Sequence, residues 1–215
     1  MSEPNVNAIP TTRATHHSRT HKLTVTAMLS TVAFLLMFIE FPLPMLIPSF
    51  VKMDFSDLPA LLGTFSLGPV YGVAIQFVKN LLHLPFGSSA CVGELSNFLL
   101  GATFAFIAGI IYKKHKNRSG ALWGSVAGAA AMALISLPLN YFIVYPAYVV
   151  LYGLPLEGIV GMYQEILGTV AQIPTGNALF NCLLVFNVPF TLCKGLLDVA
   201  LCFLIYKPLS PLLHK

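Results

Sequence analysis

Leu183 to Tyr206 is an apolar run long enough to cross a bilayer as a helix, which takes about 20 residues. Within it, Asn187, Thr191, Lys194 and Asp198 follow at spacings of four, three and four. A helix with 3.6 residues per turn puts such positions on one stripe. Charge inside a lipid-spanning helix is costly unless it faces protein or a water-filled cavity. The run therefore demands a helix in lipid, and its polar stripe demands neighbours on that side. Two readings of the stripe stand. Lys194 and Asp198 can neutralise each other, or the stripe can be one wall of a polar ligand pocket.

The rest of the chain agrees with a membrane setting. Of its 215 residues, 56% are hydrophobic and 9% charged, with a mean hydropathy of +0.78, where a soluble domain carries about 25% charged residues. The expected class is an all-α integral membrane protein with little material for a soluble domain. The net charge of +4 is small and gives no footprint for nucleic acid. Cys91, Cys182, Cys193 and Cys202 show no CxxC spacing and suit packed thiols better than a metal site or disulfide framework. The six histidines give no HExxH, so no metal is expected. Without GxxxxGK(S/T) the chain cannot hydrolyse ATP through a P-loop. Without GxSxG, HExxH or aspartates paired on facing helices, an intramembrane enzyme is not expected.

In chain order, residues 1–22 form a polar leader with Arg13, Arg19 and Lys22, followed by no small-residue cleavage site, so the first helix is read as an anchor. Helix one is expected from Leu23 to about Ile39, with Thr26 and Ser30, and Ala27 and Thr31, as small pairs four apart that allow close helix approach. Pro42 and Pro44 end it. The apolar loop from Phe41 to Asp57, with Lys52, Asp54 and Asp57 in its second half, is expected to fold back as a lid. Ser56 or Asp57 can cap the next helix. Leu58 to Leu84 reads either as one span or as two short helices broken at Gly68-Pro69. Basic loops stay cytoplasmic, and both the leader and the cluster from Lys113 to Arg118 are basic, so an even number of crossings separates them. This favours two short helices, about 58–67 and 70–84.

An outer loop from Leu84 to Val92 leads into helix four, about Gly93 to Tyr112, where Glu94 and Asn97 share a face continued by Gly101, Ala105 and Ala108. Helix five starts near Ala121, carries a GxxxG at Gly124 and Gly128, and is interrupted at Pro138 just before Asn140-Tyr141-Phe142. Asn140 suits either a flat polar ligand or the backbone groups freed by the kink. Tyr148 to Asn177 reads as a long outer connection with one short interfacial helix, and helix six returns to Lys207. The expectation is a six-transmembrane-helix bundle over 23–207, with two short central helices, a lid loop after helix one and a tail at 208–215. Both termini are expected in the cytoplasm. Nine of the twelve basic residues then lie inside, and of the eight acidic ones only Glu3 does. Polar groups from separate segments converge at one depth near the outer surface: Asp54 on the loop, Glu94 and Asn97, Asn140 and Tyr141, and the helix-six stripe. A ligand pocket explains this convergence, and so does a structural polar network. Aromatic faces beside asparagine suit a flat ring.

Met53-Asp-Phe-Ser-Asp57-Leu-Pro59, Gly93-Glu-Leu-Ser-Asn97-Phe, Asn140-Tyr-Phe and Pro189-Phe-Thr-Leu-Cys-Lys194-Gly resemble the riboflavin-specific substrate-binding subunit of energy-coupling-factor (ECF) transporters over about residues 23–207. The resemblance implies a prokaryotic cell-membrane protein that captures riboflavin from outside as transported ligand, with no cofactor. It implies docking on a transmembrane coupling subunit and two cytoplasmic ATPases, with lipid around the bundle. Carried over by position, the binding residues are Glu94, Asn97, Asn140, Tyr141, Thr191, Lys194 and Asp198, with the loop from Leu46 to Asp54 as lid. Ala27 and Thr31 match a helix-one docking motif that has alanine at both places. Thr191 stands where the family favours asparagine, which leaves open a subunit of the same fold for another vitamin. An autonomous transporter using Glu94 or Asp198 as proton site is the other alternative. The lack of an internal repeat argues against it.

Overall fold

A computed structural model describes residues 12–48, 51–87, 91–153, 155–168 and 177–213. The first eleven residues of the expected leader, the end of the tail and residues 169–176 of the expected outer connection lie outside the described residues. Helix α1 spans Thr12–Met37, so it begins inside the predicted leader rather than at Leu23. Two short strands follow, β1 Phe41–Pro42 and β2 Lys52–Met53, paired antiparallel with Phe41 opposite Met53. The loop expected to act as a lid is thus closed at its base by a two-stranded hairpin. Then come α2 Asp57–Leu67 and α3 Pro69–His83, the two short helices expected, broken at Gly68 with φ of 115°. Helix α4 is Val92–Lys114 and α5 is Arg118–Leu139, capped by the Asn117 side chain, which accepts from the Gly120 amide at 2.6 Å.

Pro138 does not end the fifth helix. A π turn at Asn140–Val144 carries α5 into α6, Tyr145–Tyr152. The result is one continuous 35-residue apolar helix, Arg118–Tyr152. At 1.5 Å per residue this is about 52 Å, so part of it stands beyond a hydrocarbon core about 30 Å thick. Helix α7, Leu156–Leu167, is the short helix expected in the outer connection. Helix α8, Ala178–Cys182, passes through a second π turn, Leu183–Asn187, into α9, Val188–Leu213, which extends into the predicted tail. Each π turn ends two residues before a proline, Pro146 or Pro189. Proline has no N–H for the carbonyl four residues back, so the ladder there relaxes to the wider turn.

Among the described residues, four helices are long and apolar enough to cross a membrane: Arg19–Met37, Val92–Lys114, Arg118–Tyr152 and Ala178–Ile205. Helices α4 and α5 meet most closely. A Cβ on Gly124 would lie 2.8 Å from the Ala108 carbonyl oxygen, and one on Gly128 2.7 Å from that of Phe104. Only glycine permits that approach, which is the packing role expected of the GxxxG. Gly101, Ala105 and Ala108 are buried along α4 as the predicted stripe requires. Helix α1 turns Thr26, Ser30 and Ala33 inward, while Ala27 and Thr31 stay exposed. Two apolar clusters form the core. One centres on Leu61, Ile75, Phe104 and Met132. The other gathers Ile47 of the lid loop, Tyr145, Ile159 and Tyr163 of α7, and Leu183.

Candidate functional site

The site lies where the two apolar clusters meet. Its floor is built from charges that the sequence scatters over 140 positions. Asp54 sits on the lid loop just after β2, and Asp57 opens α2. Lys194 of α9 donates to Asp54 Oδ2 at 3.0 Å and lies 3.5 Å from Asp57 Oδ2. Lys79 of α3, fully buried, donates to Asp57 Oδ1 and to Ser56 Oγ, both at 2.6 Å. Gln76, one turn earlier on α3, donates to Asp57 Oδ1 at 2.8 Å. Asp54 also accepts from the Ser56 backbone N–H at 2.8 Å and from its hydroxyl. The Asp-Phe-Ser-Asp stretch is thereby clamped to α3 and α9 together. Burial alone would raise the Asp54 carboxyl, but attraction to Lys194 and Lys79 outweighs it and holds the group below its ordinary 3.8.

Above this floor is a cavity of about 190 Å³. Of the residues expected from sequence, Asp54, Glu94, Asn97, Asn140, Thr191 and Lys194 all line it. Three do not. Tyr141 turns to a second hollow beside Phe142 and Phe180, because consecutive helical residues point to different faces and Asn140 holds the inward one. Leu46 is exposed at the tip of the lid loop, and Ile47 takes the inward position. Asp198 is fully buried one turn below Lys194, outside the cavity wall, and neither carboxylate oxygen has a hydrogen-bond partner. Of the two readings of the stripe, the Lys194–Asp198 pair does not form, since Lys194 reaches instead to Asp54 and Asp57.

The structure adds residues that the sequence reading missed. His83 Nδ1 meets Glu94 Oε1 at 3.1 Å, and both line the cavity. Gln76, Lys79, Asn80 and His83 are all buried on α3. Their spacing of three, one and three is a helical stripe, a signal open to inspection in the sequence. Tyr148 and Phe190 join Tyr145 and the stripe residue Asn187 in an aromatic and amide wall. The two π turns aim this wall, since Asn140 opens one and Asn187 closes the other. Chemically, the chamber offers the Lys194 ammonium, three amide side chains (Asn97, Asn140 and Asn187), hydroxyls, carboxylates and aromatic faces. That set suits a flat polar molecule. Among the described residues no cluster of histidine, cysteine or carboxylate side chains could hold a metal ion.

Residues 21–206 match the family described as "ECF transporter, substrate-specific component". The chain belongs to that family. Its members are transporter components and not enzymes. The chain is 33% identical to the riboflavin transporter RibU of Staphylococcus aureus (strain TCH60) over 194 residues, covering 90% of this chain and 93% of that one. It is 32% identical to the riboflavin transporter FmnP of Bacillus subtilis (strain 168) over 197 residues, covering 90% and 94%. A solved structure of the S component of a bacterial ECF transporter superposes with a TM-score of 0.69 at 32% identity, covering 92% of this chain and 99% of that one. The chain is therefore a multi-pass membrane protein with the S-component fold.

Proposed function

We propose that this chain is the riboflavin-binding subunit of an ECF-type importer, taking the vitamin from outside and releasing it inward when coupled to partner ATPases. The observation that carries the reading is the convergence of Asp54, Glu94, Asn97, Asn140, Thr191 and Lys194 on one chamber under a hairpin lid. Relatives at 32–33% identity that carry the name riboflavin transporter supply the ligand. In this reading the isoalloxazine lies against Phe190 and Tyr145. Lys194, Asn140 and Thr191 meet its pyrimidine-dione edge, and Asn97 and Glu94 meet the ribityl hydroxyls. A cavity of about 190 Å³ is below the roughly 300–1,000 Å³ of sites for ligands of this size. The lid hairpin therefore moves outward to admit a three-ring ligand.

Helices α2 and α3 complete a six-helix bundle with short central members, and both termini face the cytoplasm. The exposed Ala27 and Thr31 of α1 dock the transmembrane coupling subunit. The deciding experiment is the absorption spectrum of the purified chain followed by riboflavin titration in detergent. A co-purifying flavin, or quenching of flavin fluorescence with a nanomolar-class Kd, is the expected result. No flavin bound at micromolar concentrations sinks the reading.

A further inference from the structure

Tyr163 of α7 is fully buried in a cluster with Tyr145, Ile159 and Leu183. Its hydroxyl donates to Asn187 Oδ1 at 2.5 Å, and the Asn187 amide Nδ2 donates to the Tyr145 hydroxyl oxygen at 3.2 Å. The two phenols are themselves hydrogen-bonded. Tyr163 spends its one proton on Asn187, so Tyr145 is the donor in that contact. The three groups close a ring in which each donates once and accepts once. Within it the Asn187 amide has a single orientation: its carbonyl faces Tyr163, and one N–H faces Tyr145. The ring uses only one of the two N–H groups of Asn187. Both Asn187 and Tyr145 line the ligand cavity, and Tyr163 does not.

We infer that Asn187 is a ligand-contacting residue, donating its remaining N–H to an acceptor atom of the bound molecule, and that Tyr163 is its positioning residue. A flat heteroaromatic ligand with carbonyl or ring-nitrogen acceptors fits this donor. Without the Tyr163 hydroxyl the amide loses the partner that fixes its carbonyl, and the flipped rotamer turns an acceptor toward the ligand. Repulsion then replaces a hydrogen bond. The coupling reaches the site from a segment outside the bundle's long helices, so the seating of α7 and ligand affinity are linked through one hydroxyl.

The inference rests on the riboflavin reading, and the test separates the two. Full-length wild type, Tyr163→Phe, Asn187→Ala and the double variant are titrated with riboflavin by fluorescence quenching in detergent. Asn187→Asp is the fifth protein; it keeps an acceptor for Tyr163 but has no N–H, and thermal melting confirms which variants are folded. Asn187→Ala and Asn187→Asp should each weaken binding about tenfold or more, and Tyr163→Phe about three- to tenfold. In the Asn187→Ala background, Tyr163→Phe should cost nothing further, because the residue it positions is gone. A purely structural tyrosine would weaken both backgrounds alike. Wild-type affinity in the folded Asn187 variants, or additive losses in the double variant, overturns the inference and leaves the riboflavin reading intact. Failure of the wild type to bind riboflavin overturns both.

Discussion

Lys194 of α9 donates to Asp54 of the lid loop at 3.0 Å, joining residues 140 positions apart across the ligand chamber. The contact makes one ammonium serve two structures, the cavity wall and the segment just after β2 that is proposed as a lid. Losing a charged hydrogen bond costs about 1.5–3 kcal/mol, so Lys194→Ala should weaken riboflavin binding by about tenfold or more. Asp54→Asn leaves the ammonium in place but loosens the lid, and should act mainly by speeding ligand release. Stopped-flow fluorescence separates the two. An unchanged release rate for Asp54→Asn would refute its role in holding the lid.

Asp54 is held below its ordinary 3.8 in the folded protein. A carboxyl depressed by folding contributes stability above its unfolded value and loses it as pH falls through the folded one. Melting temperature should therefore be insensitive to Asp54 between pH 7 and about 4, and its contribution should fade below that. Asp54→Asn should flatten the acid limb relative to wild type. Identical acid limbs in the two proteins would contradict the assignment.

Lys79 is fully buried and bonded to Asp57 and Ser56. Removing one partner of a buried pair typically costs about 3–5 kcal/mol. Asp57 also lies 3.5 Å from Lys194, so Lys79→Met should fall at the lower end of that range. It should lower the melting temperature by several degrees while leaving a protein that still binds flavin more weakly. A melting curve superimposable on wild type would exclude the clamp.

At the α4–α5 seam a Cβ on Gly128 would stand 2.7 Å from the Phe104 carbonyl oxygen, whereas one on Gly161 of α7 meets nothing within 4 Å. Overpacking of this kind costs about 1–3 kcal/mol. Gly128→Ala should lower the melting temperature and Gly161→Ala should not, as differential scanning fluorimetry in detergent would show. Equal effects would mean that the seam is not close-packed.

Ala27 and Thr31 lie exposed on α1, beside the buried face that carries Thr26, Ser30 and Ala33. Ala27→Leu or Thr31→Leu should leave riboflavin affinity of the isolated chain at the wild-type value and abolish uptake by the assembled importer in cells. Normal uptake by both variants would place the docking face elsewhere.

Much of the architecture was legible because lipid imposes strict bookkeeping on backbone and charge. The break at Gly68-Pro69 followed from counting crossings between two basic segments, and the α4 stripe followed from 3.6 periodicity. Six residues that line the cavity were legible as polar intrusions into apolar stretches. Tyr141 misled because it neighbours Asn140 in sequence, and neighbours on a helix diverge in space. Asp198 was expected at the site by resemblance, yet it lies outside the cavity wall, and Lys194 turns to Asp54 and Asp57 instead.

Composition and periodicity by themselves determined that this chain lives in a membrane as a helical bundle, and which faces of its helices carry polar atoms. Those properties are local, set by hydration and by the pitch of one helix. Partners are not local. That Lys194 meets a lid aspartate, that Lys79 seals Asp57, and that Tyr163 reaches Asn187 were decided only when distant segments met. Hydrogen bonds between buried groups depend on distances of a few ångströms that no single helix fixes. The π turns sharpen the point, since one extra residue per turn re-aims every side chain that follows.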